Sequence, residues 1–156
     1  MTSILVENKP GVLGRVTGLI SRRGFNIDSL SVAPTEDPAR SRITVVTEAD
    51  QTAFEQITKQ LNKLVCVFKI TDLTEEEAIE RELVLFRVAV EPSLRSEVIE
   101  ISNVFRSKIV DVGKRSVTIE ATGAQGKLRA LEELLRPYGI AEITRTGITA
   151  ITRSPK

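Results

Sequence analysis

Twice along its 156 residues the chain runs through the same order of apolar patterns, strand-helix-strand-strand-helix-strand, and few folds accept that order. The first copy opens with a short strand at Ile4, Leu5 and Val6. A helix follows over 12–23, with Val12, Leu13, Val16, Leu19 and Ile20 as one stripe at helical spacing. Strands at 25–32 and 42–48, a helix over 51–63 and a strand at 64–71 complete it, with Phe54, Ile57, Leu61 and Leu64 turned inward. Two helices on one face of a four-stranded antiparallel sheet, the ferredoxin-like sandwich, is the economical way to bury these faces.

The second copy has a strand at 83–90 and a helix over 94–106 that buries Leu94, Val98, Ile101 and Phe105. A hairpin joins 109–112 to 117–119 across Gly113-Lys114-Arg115. A helix over 123–135 carries Leu128, Leu131, Leu134 and Leu135 and is stopped by Pro137 and Gly139; β-rich sequence bent at Gly147 fills 140–153. The reading is α+β, two tandem ferredoxin-like domains at 1–73 and 83–156. Between them, 74–82 is read as an acidic linker or short helix, opened by the capping-box pattern Thr74-Glu75-Glu76-Glu77. A unit of this size rarely draws more than about 3–5 kcal/mol from its own core, so each half is expected to lean on other surfaces and the chain to be oligomeric.

Local punctuation refines this. Gly24, after Arg22 and Arg23, suits a left-handed helix C-terminus, and Asp50 is the expected N-cap of the 51–63 helix. Apolar positions in 25–32 change phase between Ile27 and Leu30, as a bulge near Asp28-Ser29 would make them do. The polar stretch 34–41, with Pro34 and Pro38, reads as a mobile loop.

Composition narrows the function. Lys and Arg total 22 against 21 Asp and Glu, a net charge of +1, which argues against a broad electrostatic footprint for nucleic acid or an anionic membrane. No apolar run approaches the ~20 residues that span a bilayer. The first strand lies so near Met1 that no leader is expected, and the chain reads as cytoplasmic. Cys66, the sole cysteine, is flanked by Val65, Val67 and Phe68 and reads as a buried structural thiol. Histidine is absent, which removes the commonest general base and metal ligand; no catalytic residue and no metal site are expected.

The junction after the first strand is the candidate site. Pro10-Gly11 suits the central pair of a type II turn, and neither residue can offer a side-chain oxygen to the helix that follows. Amides near Val12, Leu13 and Gly14 would point outward at the positive end of the helix dipole, a setting that suits a carboxylate. Ordinary connecting structure with solvated amides is the alternative. The corresponding junction of the second half reads Glu91-Pro92-Ser93-Leu94, where Ser93 can cap its own helix. Gly14, Thr17, Gly18 and Ser21 share the helix face opposite the apolar stripe, so either a partner helix crosses at Gly14 and Gly18 or that face meets water.

With these residues in view the sequence resembles the regulatory (small) subunit of acetohydroxyacid synthase, also called acetolactate synthase, over essentially its whole length. The first half carries the amino-acid-binding ACT-domain pattern Val6-Glu7-Asn8-Lys9-Pro10-Gly11-Val12-Leu13-Gly14-Arg15-Val16, then Arg23-Gly24-Phe25-Asn26-Ile27-Asp28-Ser29-Leu30. Ser31-Val32-Ala33-Pro34-Thr35, Ser41-Arg42, Gln60-Leu61-Asn62-Lys63-Leu64-Val65 and Glu80-Arg81-Glu82-Leu83 follow as in that family. The second half adds Phe105-Arg106, Ile109-Val110-Asp111-Val112, Thr122-Gly123 and Gly126-Lys127-Leu128.

The resemblance implies a non-catalytic chain that binds and activates a thiamine-diphosphate-dependent catalytic large subunit and confers feedback inhibition by valine or another branched-chain amino acid. It implies no cofactor in this chain, with thiamine diphosphate, Mg and FAD on the partner. The effector would lie between two ACT domains of a homodimer. Backbone amides around Gly11, Val12 and Leu13 would take its carboxylate, and Asn8 would brace the loop or touch the ligand. Asn26 and Ile27 of the facing protomer would receive the ammonium and line the side-chain pocket. From the residues alone, Asn8 reads as a turn residue, Asn26 as a strand-edge polar group and Ile27 as core. The rivals are another ACT-type sensor, which predicts a C-terminal half unlike this family, an RNA-binding module, disfavoured by only 4% aromatic residues, and an acylphosphatase-like enzyme, disfavoured because this sequence lacks the phosphate-cradling loop.

Overall fold

The computed structural model describes residues 1–74 and 78–154. They form two compact units: Met1–Ile79 together with the closing segment from Ile148, and Glu80–Gly147. The first unit contains β1 (Thr2–Glu7), α1 (Val12–Arg22), β2 (Ile27–Pro34), β3 (Arg40–Thr47), α2 (Gln51–Leu61) and β4 (Val67–Asp72). Its sheet has the order β2-β3-β1-β4, every pair antiparallel. Alternation along β1 sends Ile4 and Val6 to one face, where with Ile43 and Val45 of β3 they meet Val12, Val16 and Ile20 of α1 and Ile57 and Leu61 of α2. Cys66 is buried in this cluster, as its apolar neighbours implied.

Polar residues of the opposite face, Ser3 and Thr44, are buried too. The closing segment is what lies along that face. Ile148 and Ala150 are only 2% and 5% exposed, the Ile148 amide donates to Ser29 Oγ at 2.9 Å, and β9 (Thr149–Thr152) follows directly. Ala150, Ile151 and Thr152 share with Ser3, Arg42 and Lys69 a concavity of about 540 Å³. Gly147, at φ 83°, turns the chain; the residues beyond it group by contacts with the first unit, while β9 pairs with β5.

The second unit repeats the architecture with β5 (Ala78–Ala89), α3 (Arg95–Val104), β6 (Lys108–Val112), β7 (Ser116–Gly123), α4 (Gln125–Leu135) and β8 (Ile140–Arg145), in the sheet order β6-β7-β5-β8. Val84, Phe86 and Val88 of β5 pack with Val117, Ile119 and Ala121 of β7 against Val98 of α3 and Leu128, Leu131 and Leu135 of α4. Arg95 Nη2 pins the β6–β7 hairpin by donating to the Gly113 and Lys114 carbonyls at 2.9 and 2.7 Å. Tyr138 donates its hydroxyl to Glu97 at 2.8 Å, and that hydrogen bond raises the tyrosine's pKa.

The two ferredoxin-like sandwiches and the strand-helix order are as the apolar periodicity dictated; several boundaries differ for identifiable reasons. β2 begins at Ile27, not Phe25, and runs on through Pro34, which tolerates the edge position because its missing N–H faces away from the ladder. The expected bulge is present: Ile27 faces Thr47 and Ser29 faces Val46, so Asp28 is the extra residue. The stretch 35–39 is not a loose loop. Thr35 N donates to Arg40 O, Ala39 N donates to Asp37 Oδ1, and Arg40 pairs with Asp37.

Turn bonds to the Leu61 and Leu64 carbonyls occupy the residues before β4 and delay it to Val67. The proposed linker is strand from Ala78 onward, while Glu75-Glu76-Glu77 of its capping-box pattern lie outside the described residues. Leu94 and Leu134, expected in the core, are exposed at 42% and 50%, since Leu94 precedes α3 and Leu134 sits on the outer side of α4.

Helix caps give a direct test. Asp50 Oδ1 accepts the Ala53 amide at 2.7 Å, as expected. Ser93 makes no cap; it lies in a single 3-10 turn, Pro92–Leu94, that leads into α3. Asp50→Ala should lower the unfolding free energy by about 1 kcal/mol in denaturant melts, whereas Ser93→Ala should change it by less than about 0.5 kcal/mol.

Candidate functional site

The β1–α1 junction is built from backbone. Gly11 has φ 83° and ψ −11°, the third position of a type II turn, and the Lys9 carbonyl accepts the Val12 amide at 3.4 Å. Gly11 is also the residue before the helix, and its carbonyl accepts the Arg15 amide at 3.1 Å. No side chain caps α1, and its first turn contains no acidic residue. The expectation of three outward amides is narrowed to two. Val12 N–H is committed, if weakly, to the turn, while Leu13 and Gly14 N–H have no acceptor within the chain among the described residues. Val12 turns its side chain into the core, and Leu13 is 36% exposed beside the turn.

Asn8 holds the junction from the other side. Its backbone N–H donates to Ala39 O at 2.8 Å and its Nδ2 to Pro38 O at 2.9 Å, so the β2–β3 turn and the β1–α1 turn form one hydrogen-bonded unit. Lys9 pairs with Glu7 at 3.3 Å, which tempers its charge beside the turn.

Asn26 is exposed just ahead of β2, with its Nδ2 donating to Asp28 Oδ1 at 2.9 Å. That bond fixes the amide group and leaves its carbonyl oxygen as the outward acceptor. Ile27 is half-buried and packs against the first unit's core, the bland alternative for it. Asp28, which sequence reasoning did not place beside Asn26, is the acceptor of that bond. It is exposed at the bulge, and only the spacing Asn26-x-Asp28 beside a change of apolar phase could have pointed to it. Asn8, Gly11, Val12 and Leu13 thus share one junction, while Asn26 and Ile27 stand at the opening of β2 with no hydrogen bond to that turn among the described residues.

On α1, a Cβ added at Gly14 or Gly18 would meet nothing within 4 Å among the described residues. Thr17 Oγ1 donates to Leu13 O at 2.9 Å, which keeps its polar atom off the helix surface. Among the described residues no group of three or more His, Cys, Asp or Glu could hold a metal, and no helix is long and apolar enough to cross a membrane.

Comparison with known proteins gives this geometry its family. The pattern for the ACT domain of acetohydroxyacid synthase small subunits matches residues 2–69, and that for the small subunit of acetolactate synthase matches 81–154. The chain belongs to the acetolactate synthase small-subunit family. The acetolactate synthase small subunits of Mycobacterium bovis and Mycolicibacterium smegmatis are 52% and 51% identical to it over 154 residues; these cover 99% of this chain and 92% and 91% of theirs. The crystal structure of the acetolactate synthase small subunit from Thermotoga maritima superposes with a TM-score of 0.89 at 41% identity, covering 99% of this chain and 97% of that one. The match at 81–154 answers the rival ACT-sensor reading, which required a C-terminal half unlike this family.

Asn8→Ala should speed hydrogen exchange at the Ala39 and Arg40 amides and cost about 1 kcal/mol of stability through the lost bond to Pro38 O. Exchange mass spectrometry across 34–41 checks it.

Proposed function

We propose that this chain is a non-catalytic regulatory subunit that binds and activates the acetolactate synthase catalytic subunit in the cytoplasm. It makes that subunit sensitive to valine or another branched-chain amino acid. The observation that carries the reading is the bare start of α1: two unanswered amides behind Gly11, with no acid in the first turn, in a domain of the ACT family. Two N–H groups at the positive end of a helix dipole match a carboxylate in charge and in number of acceptors.

In this reading the effector's carboxylate sits against the Gly11 turn on the free Leu13 and Gly14 amides, next to Val12, with Asn8 bracing the turn. Its ammonium goes to the Asn26 carbonyl of a facing protomer, next to Ile27. The Asp28 carboxylate, held by Asn26 Nδ2, adds a negative charge at the opening of β2. Gly14 and Gly18, whose surface is open within one chain, are the helix positions where a second copy would pack. Binding across a dimer favours whichever arrangement closes that interface. It moves the catalytic subunit only by the effector's differential affinity for the two states. Thiamine diphosphate, Mg and FAD belong to the catalytic subunit in this assembly, and this chain contributes neither cofactor ligands nor catalytic groups.

The deciding experiment titrates valine, leucine and isoleucine into the purified chain by calorimetry, and then into the chain with its catalytic subunit while activity is followed. Saturable binding of one of them and matching inhibition are expected; heat-free titrations with all three would defeat the reading. Gly11→Asp should abolish feedback while activation of the catalytic subunit persists, because its carboxylate would stand where the ligand's belongs. Gly11→Asn carries the same left-handed backbone strain without the charge and should retain part of the inhibition. Asn26→Ala should weaken effector binding by about 1–3 kcal/mol, read as the shift in calorimetric Kd.

A further inference from the structure

We infer that Ser29 is a positioning residue for the effector site, held from behind by the chain's closing segment; the inference rests on the function proposed above. β2 is an edge strand, hydrogen-bonded on one side only, and it carries a bulge directly after Ile27. A bulge re-aims the side chains beside it, and moving it by one residue reverses which face each side chain takes. Asn26, Ile27 and Asp28 all stand at or before this irregularity, so their aim depends on where the extra residue stays.

Ser29 is the first residue back in register, opposite Val46. Its Oγ accepts the backbone amide of Ile148 at 2.9 Å, across 119 positions of sequence. Ile148 is 2% exposed, so this donor has no access to water in place of the serine. Gly147, at φ 83°, sets the approach, a conformation that side chains rarely adopt. A line of connections therefore runs from the Ile148 amide to Ser29, by the chain to Asp28, and from Asp28 Oδ1 to Asn26 Nδ2. Ser29 touches no ligand in this scheme; it fixes the bulge, and the bulge fixes the Asn26 carbonyl.

The test uses the full chain with valine, leucine and isoleucine as calorimetric probes, alone and in complex with the catalytic subunit. Ser29→Ala should raise the Kd of the tightest-binding amino acid about five- to tenfold and leave activation of the catalytic subunit within about twofold. Ser29→Thr keeps the hydroxyl and should return the Kd to within about twofold of wild type. A Ser29→Ala chain that melts earlier yet binds with unchanged Kd would make the residue structural only and overturn the inference. Wild-type chain that binds none of the three would overturn the proposed function and this inference with it, whereas wild-type binding matched by Ser29→Ala overturns this inference alone. Should Ser29→Ala not fold, hydrogen exchange of the wild-type chain decides: saturating effector must slow the Ile148 amide together with 26–29, and an unaltered Ile148 amide would overturn the coupling.

Discussion

Gly11 holds φ at 83°, and the working end of the first unit follows from that one dihedral angle. A residue with a Cβ would be strained there, and a residue with a polar side chain would cap the helix it introduces. Glycine does neither. It turns the chain from β1 into α1 and leaves the Leu13 and Gly14 amides without an acceptor among the described residues. Asn8 makes the arrangement rigid by tying the turn to the Pro38 and Ala39 carbonyls, so two loops distant in sequence behave as one body.

The second unit shows what happens without that angle. The strand-to-helix step there passes through Pro92-Ser93-Leu94, a 3-10 turn whose Leu94 amide bonds the Glu91 carbonyl, and the helix grows from it. The same sandwich therefore enters its first helix through a left-handed glycine in one copy and through a 3-10 turn in the other, and neither start has a side-chain cap.

Period and punctuation made most of the fold legible. The α1 stripe through Val12, Val16 and Ile20, the Asp50 cap, the left-handed Gly24 and the bulge at Asp28 each follow from rules that act within a few residues. Reading failed where distant groups decide. Nothing near 35–39 says that Asn8 will donate into it, and no local pattern distinguishes Ile148 from the strand residues before Gly147. Ser93 looked like a cap because serine often is one, yet Pro92 commits the backbone to a turn before the hydroxyl can act. At the site, the turn and its glycine were legible from residue type. The pairing of Asp28 with Asn26 was not, because it forms between side chains at a bulge.

The first unit is discontinuous in sequence, and this bears on how the molecule comes into being. A ribosome delivers Glu80–Gly147 as one uninterrupted block, which can close around Phe86 as soon as it emerges. Residues 1–79 are made earlier, and the residues from Ile148 that group with them by contacts leave the ribosome only after that block.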